Sequence, residues 1–369
     1  MSGQTHQSPT TATVITGKPE SSSSVRIATP TALISAVPYL LGFQPGRDMV
    51  IIGTRPPGHT AKVTLRYSLD PAAVTDQVRH ALALLAMNRC DTAAAVGYGS
   101  DELVTPFMDW LRPEAGQHGI RFTELLRVDA GQQRYWSYLC ENPDCCRPEG
   151  TPYDLGDGAT ATEIFAGGVS GVLASREALA RMIAPSGGEE AVSMIGATRK
   201  AERRAARLLR QAPRPGKPVG RHGLALAGIT AVQQAIEQYR RGDALTHDEA
   251  AWLLVVLKDL WVRDDAWSRM EPGHRTAHVR LWTDLTRLAL LPRHVPAPAT
   301  LLAFVAWQGG NGAFANVALD RAQAADPDYS MARILRDALA VGLRAEQAEL
   351  PMTPGEVADS YAEHYGVDG

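Results

Sequence analysis

Residues 91–104, DTAAAVGYGSDELV, decide the fold class. The apolar run Asp91 to Gly97 reads as a short strand, Gly97-Tyr98-Gly99 as a tight loop, and Ser100 or Asp101 as the cap of a helix that follows at once. Working backwards, Asp70-Pro71 is a helix start, because the Asp oxygen accepts from free backbone N–H groups and Pro at the first helical position loses no bond. That helix runs to about Arg89 and feeds the strand. Upstream again, Lys62 to Tyr67 alternates: Val63, Leu65 and Tyr67 share one face, and Lys62, Thr64 and Arg66 the other, as in a half-solvated strand. It pairs across Pro56-Pro57-Gly58 with the apolar strand Asp48 to Gly53, which follows a short helix in TPTALISAVPYLLGF (29–43). Downstream, Phe122 to Val128 and Gln132 to Leu139 are strand-like and joined by Asp129-Ala130-Gly131, a turn expected to run through the glycine. Crossover helices and hairpins together predict an α/β domain built on a mixed sheet.

The second half reads differently. Strand signals fade after about Ala159, and PRPGKPVG (213–220) is a linker. Beyond it, Thr246-His247-Asp248-Glu249 is a capping box opening the apolar helix AAWLLVVLKDL. Further helices are expected near Thr276–Leu290, Ala299–Trp307, Ala313–Ala324 and Tyr329–Leu343. The cadence of Ala315, Leu319, Ala322 and Asp326-Pro327 resembles half a tetratricopeptide-type repeat, although a generic helical bundle is the simpler reading. Trp252, Trp261, Trp267, Trp282 and Trp307 fall in this half and are expected mostly in its core. The resulting division is a disordered arm (1–25), an α/β domain (26–185), a basic helical connector (186–221), an all-α domain (222–348) and a C-terminal tail (349–369).

With 369 residues, 45% of them hydrophobic and 21% charged, the chain is neither a disulfide-stapled peptide nor disordered throughout. A net charge of −3 gives no bulk reason to expect nucleic acid or an anionic membrane as partner. No secretory signal and no run of about 18 apolar residues is present, and four cysteines suit a reducing compartment, so a cytoplasmic location is expected.

Few residues suggest chemistry. Cys140, Cys145 and Cys146 offer three thiolates where structural zinc takes four Cys or His ligands, so Cys90 or His118 would have to complete the set. A reversible disulfide and a loop of reduced thiols are the alternatives, and the missing second ligand pair favours the last. Gly97-Tyr98-Gly99 lacks the third glycine of a dinucleotide fingerprint, and Asp101-Glu102 would repel phosphate. His274 and His278 are four apart, but Arg275 stands where a zinc protease needs Glu, so a solvated or partly packed pair is expected. The strongest charge run is Arg199, Lys200, Arg203, Arg204, Arg207, Arg210, Arg214, Lys217 and Arg221, opposed by Glu202 alone. Helical spacing sets Arg199, Arg203, Arg207 and Arg210 in one stripe, backed by Ala197, Ala201, Ala205 and Leu208. A solvated face, an acidic protein partner and nucleic acid are the three readings, the last weakened by the scarcity of interleaved aromatics. No Ser-His-Asp order with a nucleophile elbow and no phosphate-cradling Walker loop occurs.

Four stretches carry a family likeness: AVPYLLGFQPGRDMVIIG (36–53), YWSYLCENPDCCRPEGTPY (135–153), VRDDAW (262–267) and VAWQGGNGAFANVALDRAQAADPDYSMARIL (305–335). Together the chain resembles the actinobacterial proteins grouped as domain-of-unknown-function family 4192. The resemblance implies a high-GC host and makes the cysteine loop part of the family's pattern, but implies no activity, cofactor or catalytic residue. The turn before the first strand carries Arg47-Asp48 where that pattern has a small polar residue. The function expected is a non-enzymatic adaptor or regulatory protein acting through protein–protein contacts. The alternative is a metal or small-ligand binder, or an enzyme, with its site near the Cys140–Cys146 loop.

Overall fold

The computed structural model describes residues 13–15, 29–55, 60–140, 142, 147–154, 172–211, 220–343 and 352–362. Contacts divide the chain into two units. One comprises Met1–Ala178 with Gly310–Ala313 and Asp337–Arg344, and the other Leu179–Gly309, Phe314–Arg336 and Ala345–Gly369.

The first unit is α/β. Its helices are α1 (Pro30–Leu41), α2 (Val74–Met87) and α3 (Asp101–Gln117), and its strands β1 (Thr13–Ile15), β2 (Asp48–Arg55), β3 (Thr60–Ser68), β4 (Thr92–Tyr98), β5 (Arg121–Asp129), β6 (Arg134–Ser137) and β7 (Thr151–Pro152). They form one sheet in the order β1-β3-β2-β4-β5-β6-β7. β4 and β5 are parallel across α3, and the other neighbours are antiparallel. On one face Met49, Ile51, Leu65, Tyr67 and Leu125 join a core with Val78 and Leu85 of α2 and Val104 and Phe107 of α3. Val50, Ile52, Val96 and Leu126 point the other way and are buried too, and α1 meets β5 with Leu33, Ile34, Val37 and Leu41 buried.

Several expectations are corrected. The arm is not wholly without structure, since Thr13–Ile15 pairs antiparallel with Thr64–Arg66. The second face of β3 is less solvated than expected: Thr64 is buried, Arg66 is ion-paired to Asp48, and Lys62 is half-buried. Gly97 and Tyr98 are not a loop but the end of β4, Gly97 pairing with Met49 and Arg127 on either side. Only Gly99 leaves the strand, at φ 146°, with its N–H donating to the Val128 carbonyl. Asp70 Oδ1 accepts from the Ala72 N–H and closes a turn, so α2 begins at Val74, later than its Asp-Pro start suggests. In the β5–β6 hairpin the left-handed residue is Gln133 (φ 52°) and not Gly131, because Asp129 Oδ1 takes the Gln132 N–H and fixes the turn there. The 56–59 turn and residues 212–219 of the linker lie outside the described residues, as does the rest of the arm.

The second unit is helical: α4 (Arg176–Arg181), α5 (Gly188–Leu209), α6 (Gly220–Arg241), α7 (His247–Val256), α8 (Leu260–Ser268), α9 (Arg275–Leu288), α10 (Pro296–Gln308), α11 (Gly312–Ala325), α12 (Ser330–Ala340) and α13 (Pro354–Ala362), of which α4, α11 and α12 are shared with the first unit. The Thr246 capping box forms as expected: the Thr246 N–H donates to Glu249 Oε2 at 2.8 Å and Thr246 Oγ1 accepts from the Glu249 N–H at 3.4 Å. Pro296 to Trp307 of α10 are buried without interruption, as in a helix surrounded by others, and it packs along α9. Four of the five indoles are in the core, and Trp267 is half-buried. The stretch expected to be a connector supplies α5, which lies along α7 inside this unit. Its Met194, Ala197, Ala201 and Ala205 side is buried, and small side chains permit that close approach. Part of the tail is α13, held to α8 by Tyr361 Oη donating to Asp264 at 2.6 Å and by stacking on Trp261. Among the described residues no helix is long and apolar enough to cross a membrane.

Candidate functional site

The cysteine loop is visible only at its flanks. Cys140 is half-buried and its N–H donates to Ser137 Oγ at 3.3 Å, while Cys145 and Cys146 lie outside the described residues. The returning segment is fixed from β6: Arg134 Nη1 donates to the Gly150 carbonyl at 2.6 Å, and Trp136 Nε1 to the Pro148 carbonyl at 3.0 Å. The Arg127 guanidinium lies 3.7 Å from the centre of the Trp136 ring, which explains that indole's fixed position. Cys90 sits elsewhere, in the apolar core beneath α2, where a Cβ placed on Gly53 would come within 2.7 Å of its sulfur. Burial, helped by the Asp91 charge, pushes its thiol up to about 11, so it is a packing residue and not a thiolate ligand. His118 caps the C-terminus of α3 at the surface. Among the described residues no group of three or more His, Cys, Asp and Glu is arranged to hold a metal ion.

The arginine stripe is where helical spacing puts it. Arg199, Arg203, Arg204 and Arg207 are exposed on α5, and Arg210 is exposed at its C-terminal cap. Its neighbours are neutralised, Lys200 by Asp248 at 3.6 Å and Glu202 by Arg293 at 2.7 Å. Among the described residues Arg199, Arg203, Arg207 and Arg210 meet no carboxylate. Arg204, at the edge of the stripe, lies 3.9 Å over the Trp252 ring of α7. Between α5, α6 and α7 this pair bounds a groove of about 420 Å³. Ala227, Ala231 and Ala235 of α6 leave the space, and Thr230, Gln234, Gln238 and Asp248 rim it. Trp252 is in the core as expected, and one edge of its ring borders the groove, whose linear signal is the alanine stripe of α6.

His274 and His278 are brought to a second hollow, of about 200 Å³, with Glu237 and Arg240 of α6 and Arg269 and Glu271 of the α8–α9 turn. His274 ends a 3-10 turn, with Nδ1 3.2 Å from Glu271 Oε2. His278 is 2% exposed, and its Nδ1 meets no hydrogen-bond partner among the described residues. Burial, reinforced by His274, lowers its pKa to about 4, against the pull of Glu271 and of a hydrogen bond to the Arg269 backbone. The ring is therefore neutral near pH 7.

The family described as a domain of unknown function, DUF4192, matches residues 30–346. The chain belongs to that family. No curated protein and no solved structure matches it. The DUF4192 match takes in both hollows, the arginine stripe and the cysteine loop, and leaves out β1 and α13. The Arg47-Asp48 turn lies within it. Asp48 is buried, accepts the Gly46 N–H at 3.0 Å and pairs with Arg66, whose guanidinium lies 5.8 Å from the Phe43 ring centre.

Proposed function

We propose that this DUF4192 protein is an adaptor whose helical unit receives an acidic, partly apolar segment of a protein partner along α5. The observation that carries the reading is the row Arg199, Arg203, Arg207 and Arg210, exposed and without a carboxylate among the described residues. Like charges at i,i+4 destabilise a helix, so an unneutralised row is a cost that a complementary partner removes. The row runs beside a groove with an aromatic wall, where Arg204 over Trp252 offers a planar surface to an apolar or aromatic side chain. Asp248 and Glu249 also line the groove, so the apolar part of the segment occupies the groove and its carboxylates lie along the arginine row outside it.

The test is a photo-crosslinking amino acid at Gln234, in the full chain and in the cells that make it. The expected result is a protein adduct of one defined mass, abolished by Arg199→Glu, Arg203→Glu, Arg207→Glu and Arg210→Glu together in a chain that still unfolds cooperatively. Loss of the adduct on nuclease treatment, or its persistence in the charge-reversed chain, would overturn the reading.

A further inference from the structure

The exposed stripe of α5 does not end with its arginines. At about 100° of rotation per residue, Val192, Ile195, Arg199, Arg203, Arg207 and Arg210 all lie within about 120° of the helix surface. Val192 is 72% exposed and Ile195 40%, so the stripe is apolar over its first turns and basic over the rest. Given the acidic partner proposed above, on which this reading rests, we infer that its segment is an α-helix lying antiparallel to α5. Its first turns set carboxylates against the arginines, and its last turns set aliphatic side chains against Val192 and Ile195.

Spacing selects a helix. The six positions recur at steps of three and four residues and span about 27 Å from Val192 to Arg210. A second helix rises by the same amount per residue and meets all six from one face at the same steps. An extended segment presents one face only every second residue, so six contacts take roughly 33 Å and end a full position out of step. Charge selects the direction. The first turn of α5 carries Glu189 and Glu190 and its last turn Arg207, so a carboxylate is repelled at one end and attracted at the other. Carboxylates are also most stable in the first turns of their own helix, where the dipole is positive, and the antiparallel arrangement meets both conditions together. The aliphatic end follows from exposure, since Val192 and Ile195 leave water only under a partner. Leu209 is exposed as well, but it stands about 100° round the helix from Arg210 and outside the stripe.

The probe is a fluorescein-labelled peptide of about twenty residues on an alanine and glutamine background, with glutamate at its positions 1, 4, 8 and 12 and leucine at 16 and 19, the steps of the stripe read backwards. Titrated with the full chain and followed by anisotropy, it is expected to bind with Kd at or below about 100 μM. Proline at its position 10, or glutamine for both leucines, should weaken binding about tenfold or more. Val192→Ser with Ile195→Ser should weaken the intact peptide by the same factor and leave the leucine-free peptide unchanged, and both positions are exposed, so the fold is not at stake. Arg207→Gln should couple to glutamine at peptide position 4 and not at position 12, which fixes the direction. Binding indifferent to the proline or to the Val192 and Ile195 pair, or coupling of Arg207 to position 12, overturns the antiparallel helix. No binding at about 1 mM peptide also overturns it, and the acidic partner then stands or falls on the Gln234 adduct. Undiminished binding to the chain with Arg199, Arg203, Arg207 and Arg210 reversed overturns both.

Discussion

At the scale of single residues, the buried polar groups set the sharpest expectations. Asp48→Ala leaves the Arg66 guanidinium with little but the Phe43 ring, and should cost about 3 kcal/mol in urea unfolding. Asp48→Ala with Arg66→Met should recover most of that, because both charges are then gone. His278 and His294 are each 2% exposed and lowered to about 4, both chiefly by burial, with His274 adding for the first and Arg293 for the second. The unfolded chain takes up protons at these rings near pH 6.5, and the folded chain does so only near 4. Stability is therefore full above pH 6.5 and falls as the pH drops toward 4, by up to about 3 kcal/mol for each ring. Urea midpoints measured across that window check it, and His294→Asn should flatten the slope. Among these residues the sequence displayed the cysteines and the His pair plainly. It could not show that Arg66 faces inward, because alternation tells which side chains share a face and not whether a returning helix covers it.

At the scale of elements, caps and tight contacts were legible, and mutual placement was not. The Thr246 capping box follows from local spacing alone, and Thr246→Ala should lower stability by about 1 kcal/mol. α10 shows the opposite case: a helix buried on every side has no amphipathic signature, and only its run of apolar residues announces it. Gly97 shows how a glycine misleads. Two glycines around a tyrosine suggest a loop, yet Gly97 is in the strand because a Cβ there would stand 2.4 Å from Val104 Cγ1. Gly97→Ala should push α3 from β4 and cost about 1–3 kcal/mol by thermal unfolding, whereas the control Gly116→Ala, inside α3 with nothing within 4 Å of its added Cβ, should stabilise by up to about 1 kcal/mol. The groove beside Trp252 and the hollow at His278 were invisible for a common reason. The groove is made by side chains from three separate segments and the hollow by two, and no spacing within one segment encodes the others.

At the scale of the whole chain, the change from mixed sheet to helices was legible from periodicity, while the true extent of each unit was not. The first unit draws Gly310–Ala313 and Asp337–Arg344 from far along the sequence. A fragment ending at Ala178 should therefore be less stable than the same unit in the full chain, with greater dye-accessible apolar surface, and circular dichroism with a hydrophobic dye checks this. The same discontinuity bears on how the chain leaves the ribosome. The part translated first is not complete until residue 344 has emerged, roughly ten to thirty seconds after Ala178 at about 5–20 residues per second. During that interval the nascent sheet waits for segments still being synthesised, and a chaperone that shelters it from its neighbours on the polysome would raise the yield of native protein.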